Sequence, residues 1–271
     1  MPEHELIGAG LGTIIGAVLA LTGAGGGILA VPLLVFGLGL SMVEAAPVGL
    51  LAVGLAAAVG ALLGLRQGIV RYRAALFIAM IGVCFAPLGL WLAHQLPNTP
   101  LALGFAVVLV YACARMYRKA AHELHHGQPA SRAAFLPCVL NPLEGRLRWT
   151  LPCARSLAIT GVMSGVLSGL LGVGGGFVII PALTRYTDLD IKSIVATSLA
   201  VIALVSIASV ITASVSGVMH WAVGLPFALG AIVGLMIGRH IARFLAGPRL
   251  QQLFAMTGMI AAVLLVIKTC S

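Results

Sequence analysis

Ten apolar runs nearly free of charge, at 6–22, 26–41, 43–65, 74–94, 99–114, 156–171, 177–184, 193–214, 222–238 and 250–267, make up most of this chain. A helix rising 1.5 Å per residue needs about 20 residues to cross a ~30 Å hydrocarbon core, and several runs reach that length. Of the 271 residues 61% are apolar and 8% charged, against roughly 45–50% and about 25% in a soluble domain. So little polar surface cannot cover so much apolar surface in water. A soluble enzyme, a disordered chain and a disulfide-stapled secreted domain are excluded. The five cysteines, Cys84, Cys113, Cys138, Cys153 and Cys270, are odd in number and contain no C-x-x-C pair. They are expected to be small apolar fillers rather than a disulfide framework or a thiolate metal site. The N-terminus, Met-Pro-Glu-His-Glu, is acidic where a signal peptide is basic, so the first run is expected to be retained.

A polar stretch at 115–155, holding Arg115, Arg118, Lys119, Arg132, Arg146, Arg148 and Arg155 with four prolines, separates two halves, 1–114 and 156–271. The halves repeat. Laying Gly23-Ala24-Gly25-Gly26-Gly27 on Gly172-Val173-Gly174-Gly175-Gly176 sets an offset of 149 residues. The same ungapped register pairs Gly12 with Gly161, Gly16 with Gly165, Pro32 with Pro181, Gly68 with Gly217 and Gly89 with Gly238.

Basic residues label the loops. Three lie at 66–73, seven at 115–155, two at 185–192 and three at 239–249, which is 15 of the 16 Lys and Arg; Lys268 is the exception. The first-half loop 66–73 is basic while its counterpart 215–222 has neither Lys nor Arg. By the positive-inside rule the basic loops are cytoplasmic. An odd number of crossings per half, most simply five, then gives two inverted repeats with both termini outside. The first two segments of each half are either two crossings or a re-entrant hairpin; both leave that parity unchanged. The expected fold is thus an all-α polytopic membrane protein with two inverted-topology repeats of about five segments.

The doubled glycine run marks the candidate site. Each is followed by an undersized apolar segment, 28–40 and 177–187, so each glycine run is expected inside the membrane. Pro32 and Pro181 stand five residues after the last glycine, a placement that suits a first helical turn with an unwound stretch before it. A helix start points unpaired amides and its positive dipole end into such a break, which makes an anion site. The candidate binding residues are Gly23, Gly25, Gly26, Gly27, Gly172, Gly174, Gly175 and Gly176, with Pro32 and Pro181 fixing the helix starts. The bland reading is that these glycines let helices pack closely; two copies, each before a short segment, favour the site. Thr197 and Ser198 either add hydroxyl donors or bond their own helix carbonyls. Their first-half counterparts, Pro47, Val48, Gly49 and Leu50, carry no hydroxyl.

The two glycine runs with Pro32 and Pro181, and Ala196-Thr197-Ser198-Leu199, resemble the TauE/SafE family of bacterial membrane transporters, also called sulfite exporters. The resemblance covers both halves. It implies a secondary transporter of sulfite, organosulfonates or related sulfur-containing anions in the cytoplasmic membrane. Alternating access, with proton coupling, is the mechanism expected of such a fold, and an anion channel is the nearer alternative.

Other residues are weaker candidates. Glu44 stands near the outer end of the third segment; His94 and His220 are expected as interfacial anchors, and Asp188 and Asp190 as solvated loop residues beside Arg185 and Lys192. His122-Glu123-x-x-His126 matches the zinc metalloprotease pattern H-E-x-x-H, but it follows Arg115, Arg118 and Lys119, with Pro129 just beyond, and reads as an interfacial turn. No Walker A, G-x-S-x-G or dinucleotide fingerprint occurs. Neither enzyme activity, cofactor, resident metal nor nucleic-acid partner is expected; the expected partners are a small anion and the bilayer.

Overall fold

The computed structural model describes residues 2–22, 25–126, 137–138, 140–141, 146–147, 150–215, 217, 219–245 and 248–270. Ten helices lie among them: α1 (Pro2–Thr22), α2 (Gly25–Gly37), α3 (Met42–Arg66), α4 (Tyr72–Gln95), α5 (Asn98–His126), α6 (Leu151–Leu171), α7 (Gly176–Tyr186), α8 (Ile191–Val215), α9 (Trp221–Leu245) and α10 (Pro248–Cys270). Six of the ten, α3, α4, α5, α6, α8 and α9, contain stretches long and apolar enough to cross a membrane. Each apolar run of the sequence became one helix. Several boundaries moved: α5 runs on to His126 and α6 starts at Leu151, both inside the stretch read as linker, and α9 runs on to Leu245. Charged side chains end an apolar run without breaking the i→i−4 ladder, so a helix continues past the point where its hydrophobicity stops.

Between α5 and α6 the described residues include a two-stranded antiparallel hairpin, β1 (Leu140–Asn141) with β2 (Arg146–Leu147), in the register Leu140 opposite Leu147. Here the cysteine expectation is corrected: Cys138 and Cys153 form a disulfide across 15 residues of sequence. The Cys138 N–H also donates to Tyr186 O at 3.0 Å, and Thr150, the N-cap of α6, donates its hydroxyl to Pro137 O at 3.0 Å. The disulfide therefore ties the start of α6 to the far end of α7. Its pairing depends on how the linker folds back, which spacing alone does not reveal. Cys113 is buried as expected, and Cys84 is exposed.

Small residues set the packing. A methyl added at Gly12 or Gly16 would run into the Phe227 or Ala231 backbone, and one at Gly230 or Gly234 into Ala9 or Thr13. The numbers rise together, so α1 and α9 are parallel and in backbone contact. Gly161, Gly165 and Gly169 meet Ile78, Gly82 and Ala86 in the same way, making α6 parallel to α4. In hydrocarbon, where apolar burial does not drive helices together, such close approach and its dispersion contacts hold them. The central pair α3 and α8, whose residues are mostly buried, runs antiparallel: Gly54 faces Ser206, Gly60 faces Leu199 and Gly64 faces Ala196.

The bundle has two unlike ends. At one, Arg239 Nη2 donates to Gln67 Oε1 at 3.0 Å and the Arg71 N–H to Thr197 Oγ1 at 3.0 Å, gathering the ends of α3 and α9 with the starts of α4 and α8. At the other, Ser41 and Glu44 form a capping box that starts α3, and Glu44 Oε1 lies 3.7 Å from His220 Nε2 before α9. The pair α1–α2 folds back on itself, with Gly26 against Leu19 and Gly37 against Leu11, and returns to the Glu44 end. The pair α6–α7 turns back likewise and returns to the arginine-rich end.

Protein purified without reductant should keep Cys138 and Cys153 unlabelled by maleimide until a reductant is added. Closing a loop of this length is worth roughly 3 kcal/mol, so Cys138→Ser should lower the thermal midpoint by several degrees. An unchanged midpoint would mean that the tie between α6 and α7 carries no stability.

Candidate functional site

The turns of the two folded-back pairs meet at the middle of the bundle. A methyl on Gly27, in the first turn of α2, would strike the Val173 carbonyl oxygen and lie 3.6 Å from Val53 Cγ1. One on Gly174 would lie 3.1 Å from Ile202 Cγ2, 3.6 Å from Ser206 Oγ and 3.6 Å from Val53 Cγ1. Val53 and Ile202 stand near the midpoints of α3 and α8, so the contact falls at mid-depth. Gly172 packs against Ala46, and a methyl on Gly49 would lie 3.6 Å from the Gly172 carbonyl oxygen.

The second break has a distinct backbone. Gly172 (φ 71°), Gly174 (φ 72°) and Gly175 (φ 68°) are all left-handed, a conformation in which side chains are strained and glycine is not. Alternating it with ordinary backbone turns successive N–H groups toward one concavity, the geometry of an anion nest. Gly172 caps α6 through its N–H to Ser168 O at 3.0 Å, and Gly175 is the N-cap of α7. Among the described residues, no backbone hydrogen bond is made by the amides of Val173 through Phe177. Residues 172–176 are buried. A buried amide left unpaired costs about 1–3 kcal/mol, so this cluster calls for a polar occupant.

Three hydroxyls share that condition. Ser164 Oγ, Ser168 Oγ and Ser206 Oγ are buried without a hydrogen-bond partner, and the three residues are 0%, 0% and 1% exposed. Ser164 lies directly against Gly175, whose added methyl would collide with its Oγ. Ser206 stands between Gly54 of α3 and Gly174. Thr13, Thr160, Thr184, Ser209, Thr212 and Ser214, by contrast, bond the carbonyl four residues back. The sequence reading passed over all three serines. Their one signal was the repeat itself: the offset of 149 places Ile15, Leu19 and Ala57 opposite them, a polar-for-apolar difference confined to one half.

The other named residues fall as follows. Gly25, Gly26 and Gly27 form the first turn of α2, and Gly176 opens α7; Gly23 lies outside the described residues. Pro32 and Pro181 are inside α2 and α7, which corrects their placement in a first turn after an unwound stretch. The helices begin at the glycines themselves, so each proline instead removes one interior i→i−4 bond. Thr197 and Ser198 are buried but not at the break. Thr197 Oγ1 accepts the Arg71 N–H, and Ser198 donates to Val195 O at 2.8 Å. They lie two to three turns along α8 from Ser206, toward the arginine-rich end. The side chains of His122, Glu123 and His126 lie outside the described residues. No group of three metal-ligating side chains occurs among those described.

These features define a polytopic helical membrane protein with a buried, uncharged polar site at its centre. A family model described as "Sulfite exporter TauE/SafE" matches residues 8–265. The chain belongs to the TauE/SafE family of membrane transporters, which are not enzymes. It is 28% identical over 251 residues to a "Probable membrane transporter protein" of Xylella fastidiosa (strain 9a5c), covering 92% of this chain and 89% of that one. It is 27% identical over 258 residues to "Probable membrane transporter protein YjnA" of Bacillus subtilis (strain 168), covering 90% and 93%. A 113-residue stretch, 38% of this chain, is 34% identical to 17% of "Probable membrane transporter protein MamO" of Paramagnetospirillum magneticum. No solved structure matches. Multi-pass insertion in a bacterial inner membrane follows from the membrane-length helices and these relatives.

Gly27→Ala and Gly16→Ala should each destabilise the protein by about 1–3 kcal/mol through backbone overlap. Gly10→Ala, with nothing within 4 Å of the added methyl, should match or exceed wild type, since alanine favours helix. Thermal unfolding in detergent reads the difference; equal midpoints for the three would refute the packing described.

Proposed function

We propose that this protein is a secondary transporter that moves a small sulfur-containing anion, sulfite, an organosulfonate or a relative, by alternating access. In this reading the anion binds where the two glycine breaks meet. The observation that carries it is the cluster of buried amides at residues 173–176, set at the N-terminal, positive end of α7, for which no backbone partner is found among the described residues, beside the unpartnered hydroxyls of Ser164 and Ser206. Broken helices meeting at mid-depth are the usual construction of a secondary transporter's substrate site. The family supports transport, and its printed description, sulfite exporter, supports the choice of anion.

The same reading takes residues 1–114 and 156–271 as inverted repeats joined by a cytoplasmic linker, with both termini outside; on the cytoplasmic side Cys138 and Cys153 face a reducing compartment and stand as a thiol pair that closes on oxidation. Counterpart helices support the inversion: α3 and α8 are antiparallel, and the parallel pairs α1 with α9 and α4 with α6 exchange partners between halves. The pairs α1–α2 and α6–α7 also enter from opposite ends. Alternating access is then a movement of one repeat against the other about the shared centre. Glu44 and His220 face each other at the outer end, where a proton-coupled step has titratable groups to use. A channel would share the central site but not saturate.

In proteoliposomes, wild-type flux should saturate and rise with an imposed proton gradient, and Gly26→Leu and Gly175→Leu, whose side chains run into Ile15, Leu19 and Ser164, should destabilise the protein and abolish uptake even in the fraction that remains monodisperse. Linear, gradient-insensitive flux would indicate the channel. Unchanged flux in the Leu variants would sink the proposed site. Zinc at one equivalent, lost in His122→Ala, would revive the metalloprotease alternative.

A further inference from the structure

We infer that the substrate is gripped by the second half of the chain alone, in a pocket formed by the hydroxyls of Ser164, Ser168 and Ser206 around the amides of Val173 to Phe177, and that its ligand is a singly charged oxyanion. The inference rests on the transport reading and adds to it the residues that bind and the charge state they accept.

Two independent sets of buried groups converge there. The amides are donors only. The serine hydroxyls come from two other directions, Ser164 and Ser168 one turn apart on α6 and Ser206 on α8. Ser164 is against Gly175 and Ser206 is close to Gly174, so both hydroxyls adjoin the nest made by the left-handed glycines. A helical serine ordinarily satisfies itself on the carbonyl one turn back. These three do not, and each therefore keeps a donor for a ligand.

The first half supplies no equivalent. Ile15 and Leu19 occupy the α1 positions that correspond to Ser164 and Ser168, and Gly26 packs on them as Gly175 packs on Ser164. Ala57 corresponds to Ser206. The first break therefore contributes close approach, Gly27 against the Val173 carbonyl, and an apolar wall.

Charge decides the ligand. The side chains nearest the Gly27, Gly174 and Gly175 positions are Val53, Ile202, Ser164 and Ser206, none of them cationic, and the apolar runs that make the middles of α3, α6, α7 and α8 contain no Lys or Arg. Several donors and a helix dipole compensate one negative charge. A second charge, removed from water without a counter-ion, is not compensated. An oxyanion with several oxygens and one charge, such as a sulfonate or hydrogen sulfite, uses all three serines and the amides together. A dianion such as sulfate is rejected.

Methanesulfonate, sulfate and chloride are the probes, with full-length protein in detergent for thermal stabilisation and in proteoliposomes for flux. Methanesulfonate should raise the midpoint of wild type, and sulfate should not. In Ser164→Ala/Ser206→Ala that shift should vanish and methanesulfonate flux should fall at least tenfold. The ligand-free midpoint should hold or rise, because each substitution removes an unpartnered buried hydroxyl. Thr160→Ala and Ser209→Ala, whose hydroxyls are already bonded within their helices, should keep flux within about twofold of wild type. A double variant that keeps both the shift and the flux overturns the inference and leaves the transport reading standing. Stabilisation that is lost in the double variant, with no wild-type flux of any probe, supports the pocket and overturns transport. Sulfate stabilising wild type as strongly as methanesulfonate overturns the single-charge assignment, and no stabilisation by any probe overturns the pocket.

Discussion

A main-chain N–H inside a bilayer protein has no water to turn to, and among the described residues the amides from Val173 to Gly176 find no backbone partner. The rest of the architecture makes that tolerable. The antiparallel pair α3 and α8 encloses the break from two sides, and the glycine-lined pairs α1 with α9 and α4 with α6 bring backbone against backbone around it. Irregular backbone at this depth survives only when protein or a water-filled cavity surrounds it. The many small residues are therefore more than a packing convenience: they let ten helices close tightly enough to shelter the interruption.

The scaffold is close to symmetric and the chemistry is not. Val53 and Ile202 correspond under the 149-residue offset, and both touch the break; Gly26 and Gly175 correspond, and both press on the preceding helix. What they press on differs, Leu19 and Ile15 in one half and Ser164 in the other. Duplication can supply two helix breaks facing each other, after which a few apolar-to-hydroxyl differences suffice to give one of them the polar lining. Thr197 belongs to the scaffold. By accepting the Arg71 N–H it fastens the start of α8 to the loop before α4 at the arginine-rich end.

Much of this was legible in the sequence, because solvent and period act locally. Every charge-poor run is a helix, and the doubled glycine motif does lie where two short helices begin. What failed was long-range. Pro32 and Pro181 looked like first-turn residues only if the stretch between glycine and proline were unwound, yet α2 starts at Gly25 and α7 at Gly176, so that stretch is helical. The partner of Thr197 is 126 positions away, and no neighbouring residue announces it. Whether a buried serine bonds its own helix or faces a ligand depends on what stands across the bundle, so Ser198 looked promising and Ser206 unremarkable. Cys138 and Cys153 pair for the same kind of reason, Cys138 being held at the end of α7 by its N–H to Tyr186 O.

The place of the break also explains why it serves transport better than a fixed pore. Its donors belong to α6, α7 and α8, while the wall opposite belongs to α2 and α3. The amides and hydroxyls keep their mutual geometry only as long as α7 stays seated on α6, a pairing that the Cys138–Cys153 tie reinforces at the far end. At the break the first half contributes Gly27 against the Val173 carbonyl with Val53 beside it, Ala46 and Gly49 next to Gly172, and Gly54 against Ser206. Away from the break the halves are closely packed, α1 on α9, α4 on α6 and α3 on α8, and joined by Arg71 with Thr197 and Arg239 with Gln67, so the proposed alternating access requires these cross-half pairs to move as units. In the proposed mechanism the donors of α6, α7 and α8 would stay together, and access would alternate through the apolar wall opposite them.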